Sequence, residues 1–258
     1  MRIRAAAAAS TASAALLLAL SGSPSAHADG KPVITKVVVN KGKNIVIGPS
    51  TVTKFSAQIT ATHSAGISTA WVHLWHGTDY DSFDRTMSYD IPTCTTSGTT
   101  ATCTMNFQVE ADTRDMSNVV SNRHAGTWHI AAFAASKDRA QTTVYDYATT
   151  KVQRASKLTV NASPEPVKKG RKLTVTGALT RANWNTRALA GYSGQSVKLQ
   201  YRPKNSSTYT TLKTLTTSST GKLSTTVTAT ADGYYRYAFA GTSTTPAATA
   251  SGDYIDIT

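Results

Sequence analysis

Three groups of residues in this chain have the types and spacing to do chemistry. The first is Trp71-Val72-His73-Leu74-Trp75-His76, which combines metal-ligating, proton-moving and ring-stacking side chains. Its alternation predicts a strand, with Ala70, Val72 and Leu74 on one face and Trp71, His73 and Trp75 on the other. His73 and His76 then point to opposite faces, which is poor spacing for zinc. His73 and His129 could form a cross-strand pair, but no third ligand is evident. If Trp128, Ile130 and Ala132 of the stretch 126–133 face inward, His129 and Phe133 join the Trp71/His73/Trp75 face. Such an aromatic stripe either stacks sugar rings or binds a partner, or is covered by loop 77–93 or the second domain. The opposite inside/outside assignment would bury both tryptophans.

The second group is acidic: Asp79, Asp81, Asp84 and Asp90 within one loop. Against a helix-flanked calcium loop it fits at the first and third positions. It fails at the fifth, at the turn glycine and at the final glutamate, and its flanks are strands. A looser extracellular calcium site from these four carboxylates is the alternative to a solvated acidic loop. Calcium is the one cofactor this chain suggests.

The third group is cationic. The second half, from Ala155 onward, holds 13 Lys and Arg against 4 Asp and Glu; residues 29–154 hold 12 against 10. Alternation puts Lys198, Arg202 and Arg236 on one outer face, beside Tyr234. Trp184, Arg187 and Tyr192 sit in a predicted long loop, 181–194, at one end of the second domain. Cations with nearby aromatics suit phosphate-bearing or acidic sugar polymers; a merely solvated basic face is the alternative.

Catalytic motifs lack their context. Gly191-Tyr192-Ser193-Gly194-Gln195 misses the last glycine of a nucleophile elbow, and no helix follows it. The chain has no H-E-x-x-H and no glycine-rich phosphate loop, and its two glutamates, Glu110 and Glu165, have uninformative neighbours. A non-enzyme is expected, with a hydrolase as the remote alternative. Cys94 and Cys103 flank an eight-residue Thr/Ser-rich stretch and read as a disulfide across a hairpin in an exported protein.

The elements that must position these groups are strands. Thr and Val abound, leucine is scarce after residue 20, and helical periodicity is absent beyond that point. The 258 residues divide into a signal peptide at 1–28, a first β-sandwich at 29–154 and a basic second sandwich at 155–258. Arg2 and Arg4, the apolar run to Leu20 and Ala26-His27-Ala28 mark the leader. The run is short for a membrane span, and no hydrophobic tail ends the chain. In the second domain, Asp232-Gly233 makes a turn, and Tyr235, Tyr237 and Phe239 alternate inward. Tyr235, two residues past the glycine, resembles the tyrosine corner of immunoglobulin-like sandwiches, whose hydroxyl ties the incoming loop. Gly126-Thr127-Trp128 echoes it weakly in the first domain.

Lys157-Leu158-Thr159-Val160, Pro164-Glu165-Pro166-Val167, the Leu173–Gly177 strand, Gly194 to Gln200 and Gly233-x-Tyr235 resemble the immunoglobulin-like modules at the C-termini of actinomycete secreted proteins. The whole mature chain is similar to an uncharacterised two-domain group of these, some loosely labelled calcium-binding. The resemblance implies fold and export, and carries no catalytic residues. The sequence therefore predicts an all-β, tandem immunoglobulin-like protein acting at or outside the cell envelope. Its expected partner is an anionic wall polymer, a carbohydrate or another secreted protein; export argues against nucleic acid.

Overall fold

The computed structural model describes residues 30–258; the leader expected at 1–28 lies outside them. Strands dominate, with three single-turn 3₁₀ segments between them. The first ten strands are β1 (Val33–Val39), β2 (Ile45–Ile47), β3 (Thr53–Thr62), β4 (Ile67–His76), β5 (Arg85–Met87), β6 (Thr93–Ser97), β7 (Thr100–Ala111), β8 (Val119–Val120), β9 (Gly126–Ser136) and β10 (Gln141–Arg154). They form two sheets. One runs β1-β3-β7-β6 with β8 on β7; the other runs β2-β10-β9-β4-β5.

The inner faces follow from period-two patterning. Ala57, Ile59 and Ala61 of β3 and Met105 and Phe107 of β7 meet Val72 and Leu74 of β4 and Trp128 and Ile130 of β9. Each large side chain removed from water in this way contributes about 1.5 to 3 kcal/mol. Phe55 and Phe107, paired across β3 and β7, stack with ring centroids 4.9 Å apart. Cys94 and Cys103 stand directly opposite each other on β6 and β7 and are disulfide-bonded. The two-residue loop between these strands uses Gly98 at φ +58°, a conformation glycine adopts freely.

The second set comprises β11 (Ser156–Leu158), β12 (Asn161–Ser163), β13 (Lys172–Asn183), β14 (Ala188–Gly191), β15 (Ser196–Pro203), β16 (Thr210–Thr216), β17 (Lys222–Thr228), β18 (Gly233–Phe239), β19 (Ala248–Thr249) and β20 (Asp253–Ile255). Strand β13 pairs with β11, β12, β14 and β17; the facing sheet runs β16-β15-β18-β19 with β20 on β18. Leu173, Val175 and Leu179 pack against Val197, Leu199, Tyr235, Tyr237 and Phe239. Gly177 admits this packing: a Cβ there would lie 2.3 Å from the Thr159 carbonyl oxygen and 2.8 Å from the Tyr237 ring. The chain is thus two tandem immunoglobulin-like β-sandwiches.

Two sequence expectations are corrected. The stretch 181–194 is not one long loop: β13 continues to Asn183 and β14 pairs back on it, Arg181 opposite Ala190 and Asn183 opposite Ala188. The loop-tying hydroxyl of the second sandwich comes from Tyr201, not Tyr235. Tyr201 donates to the carbonyls of Ala231 and Asp232, both at 3.1 Å, from the neighbouring strand β15. Tyr235 fills the core, and Tyr237 joins the two sheets by donating to the Val175 carbonyl at 2.9 Å. In the first sandwich Trp128 ties the incoming turn, its indole N–H donating to the His124 carbonyl at 2.7 Å.

The sandwiches join through a buried contact centred on Trp184. Its ring is fully buried in the first sandwich's core cluster, and its indole N–H donates to the Ile47 carbonyl at 3.2 Å. Its backbone N–H donates to Asn122 Oδ1 at 2.9 Å, while Asn122 Nδ2 donates to Asn183 Oδ1 at 2.8 Å. The strand ends add to this joint, with Ala155 donating to Ile47 and Ala182 to Ala155.

Candidate binding faces

The outer face of the first sandwich carries the predicted aromatic stripe. Strands β4 and β9 pair with Trp71 opposite Phe133, His73 opposite Ala131 and Trp75 opposite His129. Trp71 stacks on Phe133 at 4.9 Å and Trp75 on His129 at 4.2 Å. The stripe is brought together as the alternation requires, but it is not open. Loop 77–93 folds over it: Tyr80 packs edge-on to both His73 and Trp75, Phe83 to His73, and Tyr89 lies beside Trp71. Tyr145, from a β10 bulge, packs on Tyr80 at 4.6 Å, and its carbonyl accepts from the Trp75 indole at 3.0 Å. Trp75 is left 3% exposed, so it is core rather than a stacking platform. His73 Nδ1 and the Tyr80 hydroxyl share a hydrogen bond of 3.1 Å, and burial lowers the His73 pKa.

The four carboxylates of the acidic loop do not converge. Asp79 accepts from the Asp81 backbone N–H at 2.8 Å, capping a local turn. Asp84 bonds His76 Nδ1 at 2.6 Å and faces His124 at 3.9 Å. Burial raises its pKa, but the His76 hydrogen bond and the His76 and His124 charges together hold it below its ordinary value. Asp90 donates its backbone N–H to Asn106 over the opposite sheet. Among the described residues no three His, Cys, Asp or Glu side chains are placed to hold a metal ion. Asp79, Asp81, Asp84 and Asp90, the four carboxylates of the looser calcium alternative, therefore stand apart in this structure. The Asp79 carboxylate serves a local turn and that of Asp84 a histidine pair.

The outer face of β15 and β18 does gather the predicted cations. Lys198 pairs with Ala238, Gln200 with Arg236 and Arg202 with Tyr234, so these side chains share one face. The arginines are interleaved with tyrosines. The Arg202 guanidinium lies 3.8 Å above the centre of Tyr234, and that of Arg236 lies 3.6 Å above Tyr209. Gln200 accepts from Arg236 Nε at 2.9 Å, and the Ser206 carbonyl accepts from Arg202 Nη1 at 2.7 Å. Tyr254 continues the row against Tyr234 at 5.1 Å. At the other end, Lys198, Gln200 and Ala238 line a depression of ≈ 450 Å³. Among the described residues no carboxylate lies within 4 Å of Lys198, Arg202 or Arg236. The nearby Asp232 instead pairs with Lys204 at 3.6 Å.

Trp184, Arg187 and Tyr192 do not form one binding loop. Trp184 is the buried joint described above, because the β13–β14 turn reaches into the first sandwich. Arg187 turns to Asp112 of the first sandwich at 3.5 Å. Tyr192 is 9% exposed and lies under Arg181, whose guanidinium is 3.8 Å from its ring centre. Tyr209 and Tyr254 escaped sequence reasoning because each reaches the cationic face from a different element, β16's approach and β20. The only local signal at Tyr209 was an aromatic flanked by threonines.

No protein-family profile and no characterised protein matches the chain. Solved structures align at low similarity. The three-domain ectodomain of mouse nectin-like molecule 4 matches at 12% identity and a TM-score of 0.26, over 88% of this chain and 64% of that one. The D00-D0 domain of intimin matches at 13% identity and 0.28, over 85% and 99%. A putative membrane-anchored protein from Corynebacterium diphtheriae matches at 12% and 0.29, over 86% and 53%. The chain thus spans less than two thirds of the nectin-like and corynebacterial structures. These similarities bear on neither ligand nor activity.

Proposed function

We propose that this is a non-catalytic binding protein of the extracytoplasmic space that holds anionic wall polymers or acidic carbohydrate through the outer β15–β18 face. The observation that carries this reading is the interleaved row of Lys198, Arg236–Tyr209 and Arg202–Tyr234, with no carboxylate among the described residues within 4 Å of its cations. Stacking on tyrosine fixes each guanidinium plane and leaves its edge N–H groups for oxyanions. Residues 198 to 202 of an extended strand span about 13 Å, enough to meet successive anionic groups of a linear polymer. The single disulfide and the absence, among the described residues, of a membrane-crossing helix accord with an exported chain. The resemblance to actinomycete secreted two-domain proteins is part of the same proposal.

Co-sedimentation with purified Gram-positive cell walls over a salt series tests it. Binding should fall steeply as salt rises, and Arg202→Glu with Arg236→Glu should abolish it while leaving the circular dichroism unchanged. Equal binding by that double variant, or no binding at low salt, would sink the reading.

A further inference from the structure

The two sandwiches meet at a second concentration of positive charge, unrelated to the outer face. Arg154, the last residue of β10, is 8% exposed. Its Nε donates to the Ala182 carbonyl at 2.5 Å, the one hydrogen bond of its side chain among the described residues. Arg181, on β13, approaches the same place and stacks over Tyr192 at 3.8 Å. Its side-chain hydrogen bond, from Nη1 to Thr245 Oγ1, is long at 3.4 Å. No carboxylate among the described residues lies within ion-pair distance of either arginine. Setting two guanidinium groups together in a largely buried joint without an anion is unfavourable, because desolvation and like-charge repulsion add.

Hydroxyls surround the pair. The 242–245 turn supplies three threonines, running from exposed Thr242 to fully buried Thr245. Tyr192 Oη and Thr242 Oγ1 are 3.5 Å apart, and Thr242 Oγ1 and Thr244 Oγ1 are 3.3 Å apart. These are loose contacts, well beyond the ordinary 2.5 to 3.0 Å for hydroxyl pairs, so the hydroxyls are not using each other fully. The joint holds the turn in place: Arg154 donates its backbone N–H to Thr244 at 2.9 Å, and Gln153 Nε2 donates to the Thr242 carbonyl at 2.9 Å.

We infer that Arg154, Arg181, Tyr192, Thr242, Thr244 and Thr245 form a binding site for a phosphate-type oxyanion at the joint between the sandwiches. Two guanidinium groups from different strands, with up to four hydroxyls, offer more donors than a carboxylate has acceptor positions. They suit a tetrahedral anion with three or four oxygens. The electrostatics point the same way. Burial, followed by the Arg181 charge, brings the Arg154 pKa down to about 10. Burial raises the Tyr192 phenol, but the threonine hydroxyls and Arg181 outweigh it and lower its pKa. An anion seated between them would relieve both arginines and bind the second sandwich more firmly to the first.

The inference does not rest on the outer-face reading, and its test is separable from it. Calorimetric titration of the whole chain with inorganic phosphate, at ionic strength held constant with sodium chloride, should show saturable one-to-one binding. Arg181→Gln should weaken it about tenfold, the loss of one charge-assisted pair. Tyr192→Phe keeps the ring under Arg181, removes the hydroxyl and should weaken it by a smaller factor. Arg202→Glu on the outer face should leave it unchanged. Thermal unfolding gives a second readout: phosphate should raise the midpoint of the wild-type chain saturably, and that of Arg181→Gln much less. Methyl phosphate and dimethyl phosphate separate the sources. Binding of the monoester alone indicates a free or terminal phosphate, and binding of both indicates an internal polymer diester. No saturable heat at tens of millimolar phosphate overturns the site, as does undiminished binding by Arg181→Gln.

Discussion

Trp184→Ala is the perturbation that separates a joint from a ligand-binding loop. The ring is fully buried among first-sandwich residues although it belongs to the second sandwich's chain. Removing a buried tryptophan to alanine costs about 3 to 5 kcal/mol through lost transfer energy and the cavity left behind. The lost indole bond adds little, because the Ile47 carbonyl still accepts from the Ala155 N–H. We expect a loss of about 4 kcal/mol, a large fraction of the 5 to 15 kcal/mol that holds typical domains together. Urea unfolding followed by circular dichroism at 222 nm would measure it, with polymer co-sedimentation run on the folded fraction. An exposed ligand-stacking tryptophan would behave in the opposite way, with less than about 0.5 kcal/mol lost and binding abolished. A stability loss below about 1 kcal/mol would refute the reasoning.

Four further outcomes are expected. Replacing Cys94 and Cys103 together by alanine should cost about 2.5 kcal/mol, from the chain entropy of a nine-residue separation, read as a shift in urea midpoint. Gly177→Ala should cost about 2 kcal/mol or more, since its Cβ meets the Thr159 carbonyl and the Tyr237 ring; an unchanged melting temperature would disprove that contact. His124 is buried, with Nδ1 accepting from the Ser121 N–H at 3.0 Å, and burial followed by the Arg85 charge brings its pKa down to about 4. The unfolded chain therefore takes up this proton first as pH falls. The stability the neutral ring contributes is complete above about pH 6.5 and is lost towards about pH 4, reaching about 3 kcal/mol, and His124→Gln should flatten that part of the profile. Iodide should quench little of the Trp75 and Trp184 fluorescence in the native chain, because both rings are buried; strong quenching would reopen the aromatic stripe as an exposed surface.

Much of the fold was legible because strand patterning is local. The alternation in 70–76 and 126–133 groups Val72 with Leu74 and Trp128 with Ile130 but leaves open which face is inner; the structure buries both groups and sets Trp71 opposite Phe133. The disulfide was legible from compartment and spacing, and Lys198, Arg202 and Arg236 from period two on neighbouring strands. What local pattern cannot show is which segment covers which. The sequence leaves loop 77–93 and the second domain as alternative covers for the tryptophan stripe, and only packing decides that Tyr80, Phe83 and Tyr89 of the loop close over it. Trp184 reads as a binding aromatic because its destination, the Ile45–Ile47 strand, is 137 residues away in the chain.

By itself, then, the sequence determined most of the strands, which side chains share a face, the disulfide and the basic character of the second half. These depend on side-chain type at fixed short spacing, where the pleat dictates direction. Only the tertiary structure decided that the four aspartates scatter and that Tyr201 does the work expected of Tyr235. It alone brought Arg154, Arg181 and the 242–245 threonines to one joint. Those outcomes depend on contacts between distant segments, set by how whole sheets and loops pack, and no local period encodes them.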